Sequence, residues 1–254
     1  MSPEIIDIVN HMSPISLEEM KTVRLMNRID TKYLVTSGQL QAIVKGIHDR
    51  YYAQEVESNR FSPYRTVYYD TPELTMFTIH HDKRLVRDKV RVRTYVDSDL
   101  SFCEVKHKTN KGRTKKKRIQ VIPQHNVTEL AEVADFLAEN QPYPVDSLKP
   151  TLETVFDRFT LVNYEKTERL TIDCNLHFRN LVNGGAASMD DLVVMELKQD
   201  GRARSLFKEV LLDLRVKPFK LSKYCIGICM TRPEVRQNRF KVKLRHINKL
   251  KALS

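Results

Sequence analysis

Polar and apolar residues alternate along much of this chain. Between Lys89 and Tyr95, Val90 and Val92 interleave with Lys89, Arg91 and Arg93. Successive side chains of a strand point to opposite faces, so one face is aliphatic and the other charged. The next segment repeats the pattern, with Glu104 and Lys106 on one side of Val105. Elsewhere Asp30 alternates with Lys32. Arg169, Thr171 and Asp173 share a face, as do Glu196 and Lys198 opposite Val193, Met195 and Leu197. Strands are predicted at 28–35, 51–56, 65–69, 88–96, 101–108, 114–122, 151–161, 167–175 and 192–198. A helical period takes over at Leu40, Ile43, Val44 and Ile47, and again over 128–140, 203–215 and from Ser222 to Met230. Ser16 reads as the N-cap of a partly amphipathic helix reaching about Asn27. Residues 1–12 read as a loose or short helical lead-in, and 73–80 fit a short helix or a strand.

Strands with one charged face do not suit an open sandwich, whose inner faces must be dry. A closed barrel with a polar lumen accommodates them, because lumen-facing and outward residues alternate. The expected fold is therefore α+β, mainly β: a closed antiparallel barrel forming a tunnel with a basic lumen and flanking helices. Residues 1–231 read as one domain and 232–254 as a basic tail with no obvious single structure.

Charge sharpens this picture. The formal net charge is +11. From Arg232 to Ser254 there are eight Lys or Arg and one acid, a net +7, which leaves +4 for residues 1–231. The high overall charge thus says less than its local clustering. From Lys106 through Arg118 there are eight Lys or Arg and no acid, a density that repels itself without an anion. The four cysteines show no Cys-x-x-Cys pair and read as reduced core thiols. The start lacks the pattern of a secretory signal, and the apolar runs fall short of a membrane span. A soluble, cytoplasmic protein is expected.

A lumen carrying Arg91, Arg93, Lys106, Lys117, Arg158, Lys198 and Lys223 suits a polyanion. Guanidinium groups take phosphate oxygens bidentately, and lysines act as point charges. Glu104 and Glu196 read either as salt-bridge partners or as ligands of a divalent cation that bridges phosphate oxygens. The tail, with Phe240, Val242 and Leu244 among its cations, reads as a solvated basic stretch, a docked segment or a nucleic-acid contact, and specific nucleic-acid binding is not expected.

In order and spacing, these motifs resemble the vacuolar transporter chaperone (VTC) domain, the polyphosphate polymerase domain of the triphosphate tunnel superfamily. The matching residues are Arg28-Ile-Asp-Thr-Lys32-Tyr33, Tyr68-Tyr-Asp-Thr-Pro72, Lys89-Val-Arg91-Val-Arg93, Glu104-Val-Lys106, the Lys115–Arg118 run, Arg158, Arg169 with Asp173, Glu196-Leu-Lys198 and Lys220-Leu-Ser222-Lys223-Tyr224. The resemblance implies a tunnel that binds triphosphate and transfers the ATP γ-phosphate to a growing polyphosphate chain with Mn²⁺ or Mg²⁺. It implies that Lys32, Arg91, Arg93, Lys106, Arg158 and Lys223 hold phosphates, with Lys117, Arg118, Arg169, Lys198, Lys220 and Ser222 as further phosphate contacts. Glu196, with Glu104, would hold the metal.

The hydrolytic branch of the superfamily opens with Glu-x-Glu-x-Lys. This chain has Arg28-Ile29-Asp30-Thr31-Lys32, which favours the polymerase-like branch. Where that branch often carries tyrosine, this chain has Phe156. The alternatives are a triphosphate hydrolase in the same tunnel and a non-catalytic module that binds polyphosphate or nucleotide.

Overall fold

The structure, a computed structural model, describes residues 1–23, 28–111, 113–122, 127–201 and 204–253. The end of the helix expected to reach Asn27 lies outside them; within them it is only the turn Leu17–Met20, held by a reciprocal cap between Ser16 and Glu19.

In chain order the elements are α1 (Pro3–His11), β1 (Pro14–Ser16), α2 (Leu17–Met20), β2 (Arg28–Thr36), α3 (Ser37–Ile47), β3 (Tyr51–Glu55) and β4 (Ser62–Asp70). Then come α4 (Thr75–His81), β5 (Arg87–Tyr95), β6 (Leu100–Lys108), β7 (Thr114–Val121), α5 (Ala131–Asn140), β8 (Lys149–Asn163) and β9 (Glu168–Asn180). The chain ends with β10 (Ala186–Met189), β11 (Leu192–Asp200), α6 (Leu206–Asp213), α7 (Lys223–Thr231) and α8 (Lys241–Lys251).

One sheet carries all the strands, in the order β2-β11-β9-β8-β4-β5-β6-β7, with β1, β3 and β10 attached beside this path. Every pairing among the described residues is antiparallel except β1 with β3.

The sheet is mainly antiparallel and helix-flanked, as expected, but it is not closed into a barrel. β2 and β7 end the path and, among the described residues, do not pair with each other. The expectation of closure missed what occupies the β2 edge. The segment leading into α7 lies there, and the Phe219 amide donates to the Lys32 carbonyl at 2.6 Å. Pairing β7 with β2 would also bring a row of exposed cations, Lys115 to Arg118, against Arg28 and Lys32. Such like-charge pairs oppose strand association.

The sheet nevertheless curls, because β6 and β11 face each other across its inner side: the Lys106 ammonium on β6 feels the Glu196 carboxylate on β11. Two outer cores hold this curl. α1, α3 and α6 cover Tyr33, Val35, Leu170, Ile172, Val193 and Met195. α5 covers Val90, Val92, Cys103 and Val105.

The inner face is divided. At one end α7 packs on Leu34, Leu152, Leu176, Phe178 and Val194. A Cβ at Gly227 would come within 2.5 Å of Leu152 and Phe178, so glycine is what lets α7 sit so close. The rest of the inner face carries the charged residues. All four cysteines are buried and free.

The chain beyond Arg232 is not an unstructured tail. α8 buries Ile247, and Phe240 joins the cluster around α7.

Candidate functional site

Strand parity builds the site. Arg91 and Arg93 on β5 face inward, opposite Tyr68 and Thr66 on β4 and opposite Glu104 and Phe102 on β6. Lys106 stands opposite Lys89 on one side and Lys116 on the other. Across the cavity Glu196 stands opposite Lys32 on β2 and Thr171 on β9, and Lys198 stands opposite Arg169. Arg158 lies opposite Asp173. α7 enters with Ser222 as its N-cap, which places Lys223 at the helix start.

Two carboxylates are fully engaged. The Glu104 carboxylate accepts from Arg91 Nε at 2.7 Å and Lys116 Nζ at 2.9 Å, and Glu104 is only 1% exposed. Burial raises its pKa, but Arg91, Lys116 and Arg93 more than offset this and bring it down to about 2. Asp173 accepts from Arg158 at 2.5 and 2.8 Å and also from Lys223. Burial works against its ionisation, yet Arg158 and Lys223 hold it well below the usual carboxylate range. Glu196 is held less tightly. Its carboxylate meets Lys32 Nζ at 3.8 Å, outside hydrogen-bond range, and is 24% exposed.

The cations outnumber these acids. Arg169 and Lys198 are directly opposed like charges, and so are Lys106 and Lys89; such pairs destabilise a sheet. Arg169 Nε is buried with no hydrogen-bond partner among the described residues. Arg93 reaches Thr66 Oγ1 at 3.3 Å and lies over the Tyr64 ring at 5.4 Å. Burial, with Arg91 and Arg158 nearby, pulls its pKa down to about 10. Lys106 is pushed lowest, to about 6, by burial and by Arg91 and Arg93. Burial also brings Lys89, Lys198 and Lys223 to about 8. A bound polyanion would relieve this arrangement.

The structure therefore brings together Lys32, Arg91, Arg93, Lys106, Arg158, Arg169, Lys198, Ser222 and Lys223, around Glu196. Lys117 does not belong to the group: it pairs with Val105 and projects from the opposite face, and Lys116 takes the inward place. Lys117 and Arg118 are adjacent, so only one of them can face in. Arg118 does, with its guanidinium 4.4 Å above the Phe102 ring. Lys220 is exposed beside the cavity. Glu104 does not fit a metal site, since cations take both its oxygens.

The sequence reading missed Lys89, whose Nζ donates to Ser222 Oγ at 3.0 Å, and Lys116. Both were accessible by parity, two residues from Arg91 and Arg118. It also missed Tyr64, which stacks on Phe156 at 5.4 Å with Arg158 5.0 Å over its ring.

No three His, Cys, Asp or Glu side chains among the described residues form a metal cage. Glu196 alone, one open carboxylate facing a phosphate-binding cavity, fits a divalent cation that takes its other ligands from phosphate and water.

A family model described as the VTC domain matches residues 27–232. No curated protein matches the chain. Among solved structures, a Hippeastrum protein described as an adenylyl cyclase candidate with a dominant triphosphatase activity matches at TM-score 0.51 and 12% identity, covering 79% of this chain and 94% of that one. A Vibrio parahaemolyticus protein described as an adenylate cyclase candidate matches at TM-score 0.45 and 12% identity, covering 80% of this chain and 99% of the other. The first likeness shows the shared fold.

Proposed function

We propose a function from one premise: the chain belongs to the VTC domain family. It acts as a polyphosphate polymerase that transfers the γ-phosphate of ATP to the end of a growing polyphosphate chain inside the basic cavity. The observation that carries this reading is the set of inward cations facing one another without enough carboxylate to neutralise them. Phosphoryl transfer asks little of a protein beyond positioning and charge neutralisation. Arg91, Arg93, Arg158 and Arg169 would grip phosphate oxygens, and Lys32, Lys106, Lys198 and Lys223 would supply point charges. Mn²⁺ or Mg²⁺, held by Glu196, would add charge neutralisation on the β- and γ-phosphates.

Proton balance distinguishes the two acceptors. The terminal oxygen of a polyphosphate chain is already ionised. It attacks the γ-phosphorus, the bond to the bridging oxygen breaks, and ADP leaves with the electron pair; no base is needed. Water as acceptor must lose a proton. The inward acids are poor bases, because Glu104 is held at about 2, Asp173 lies well below the usual range, and Glu196 is lowered by Lys32 and Lys198 against the effect of burial. Lys106, brought to about 6 in the empty cavity, is the amine that could take that proton, and a bound triphosphate restores its charge; transfer is therefore favoured over triphosphate hydrolysis, the runner-up and the activity named for the Hippeastrum protein. A non-catalytic polyphosphate binder would have no use for Glu196.

The test is incubation with ATP and Mn²⁺ followed by gel electrophoresis. The expected product is a ladder of long phosphate chains; orthophosphate alone would make the protein a hydrolase. Glu196→Gln should still bind tripolyphosphate in calorimetry but make no ladder. If this variant keeps full metal-dependent turnover, Glu196 is not the metal ligand.

A further inference from the structure

Past the cations, at the β4–β5 and β5–β6 strand ends marked by Tyr95, the inner face changes character. Tyr64, Tyr95, Phe102 and Phe156 come from four adjacent strands of the sheet and meet side by side. Tyr64 lies 5.0 Å from Tyr95, Tyr95 meets Phe102 edge-on at 6.1 Å, and Tyr64 stacks on Phe156. The inner pair is spoken for: Arg93 and Arg158 cover Tyr64, and Lys223 lies 4.0 Å above Phe156. Among the described residues, the outer pair carries a single cation, Arg118, 4.4 Å over the Phe102 ring. Tyr95 and Phe102 are half-buried and belong to none of the hydrophobic clusters of the described residues. Two large aromatic rings that hold no core together, at the rim of a phosphate-binding cavity, are placed for contact with a ligand.

Strand rise sets the reach. At about 3.3 Å per residue, Tyr95 lies roughly 13 Å along the strand from Arg91 and roughly 7 Å from Arg93. A triphosphate gripped by Arg91 and Arg93 thus has its nucleoside end within reach of this rim. Arg118 adds a planar guanidinium on the Phe102 ring, and bases stack both on aromatic rings and on arginine planes.

We propose that Tyr95 and Phe102, with Arg118, form a stacking platform for the base of a nucleoside triphosphate. The assignment rests on the cavity being a triphosphate site and adds a second part to it, for the base rather than the phosphates. Stacking tolerates different bases because each has a π-face. The platform therefore distinguishes nucleotide from inorganic triphosphate, and one base from another only weakly.

The experiment compares ATP with tripolyphosphate in calorimetry, using wild type, Phe102→Ala and Tyr95→Ala. Neither ring belongs to a core cluster, so both variants should fold. Each should lose roughly tenfold in ATP affinity, about the size of one base–aromatic stack. Tripolyphosphate affinity should stay at the wild-type value. Loss of both ligands together, or of neither, would overturn the platform. If wild type does not bind tripolyphosphate, the reading of the cavity itself fails, and the platform with it.

A second readout uses the lack of tryptophan in the chain. Phe102→Trp provides a single indole on the platform. Its fluorescence should be quenched by ATP and left unchanged by tripolyphosphate. Equal responses to the two would place the base elsewhere.

Discussion

Arg91 and Arg93 sit two residues apart on one face of one strand, yet their surroundings give them different roles. Arg91 is tied to Glu104, whose carboxylate has almost no access to water. Removing Arg91 leaves that buried carboxylate with Lys116 as its remaining hydrogen-bond partner, so Arg91→Ala should cost roughly 3–5 kcal/mol of stability, the usual penalty for breaking a buried pair. Arg93 has no carboxylate within ion-pair range among the described residues, and Arg91 and Arg158 both work against its charge. Arg93→Ala should leave stability nearly unchanged and weaken ATP binding by about 1.5–3 kcal/mol, the loss expected for a hydrogen bond to a charged group. Urea melts give the first quantity and calorimetry the second. An Arg93→Ala variant with wild-type ATP affinity would remove Arg93 from the phosphate site. The alternation in the sequence identified both arginines. It could not separate their roles, because the difference comes from Glu104 and Lys116 across the strand pair.

At the scale of elements, periodicity was readable and irregularity was not. α3 has an apolar stripe and a reciprocal cap between Thr36 and Gln39, so local and tertiary signals agree. β9 was expected to end at residue 175 but runs to Asn180. The reason is Asn175, whose φ of 52° accompanies a bulge where β8 and β9 shift register. Before the bulge Asp173 faces the cations; after it Leu176 and Phe178 face α7. A one-residue insertion reverses the alternation, so a period-two reading loses the strand at that point. On β9 this bulge is what keeps the inner face charged at one end and apolar at the other.

On β7 the sequence offers four consecutive cations, and pairing with β6 alone decides which of them face the cavity. Lys116→Ala should weaken tripolyphosphate binding by on the order of 1 kcal/mol, as for a partly exposed charge contact. Lys117→Ala should change it by a few tenths at most, because that side chain lies on the other face. Calorimetry on the two variants decides between them; equal losses would mean that the phosphate reaches around the β7 edge and that the register does not define the site.

The molecule as a whole gathers like charges on its inner face and buries them, while α8 covers one end of that face from beyond the matched family region. Helices, core faces and most inward cations were legible in the sequence. The open sheet and the docked α8 were not, because each depends on what covers an edge or a face: Phe219 on the β2 edge and Ile247 against the α7 cluster. The buried cations also set how stability follows pH. Burial lowers Lys106 to about 6, and Lys89, Lys198 and Lys223 to about 8, from the usual 10.5. Between these values and 10.5 the unfolded chain binds more protons than the empty folded protein, so stability rises with pH. At the alkaline end, Cys103, Cys174 and Cys229, pushed up to about 12 by burial, work in the opposite direction once free thiols begin to ionise. The ligand-free protein should therefore show a Tm that climbs from about pH 6.5 to about pH 8. Tripolyphosphate favours the charged lysines and should flatten that climb, so the Tm gain on binding is larger at the acidic end. Lys106→Met removes the lysine with the largest depression. It should lessen both the slope of the free protein and the gain from ligand. A scan of Tm against pH, with and without tripolyphosphate, measures all of these at once. A Tm that falls over this range in the free protein would show that the lysines keep their protons in the empty cavity, and that the positive charge is balanced by something other than a bound polyanion.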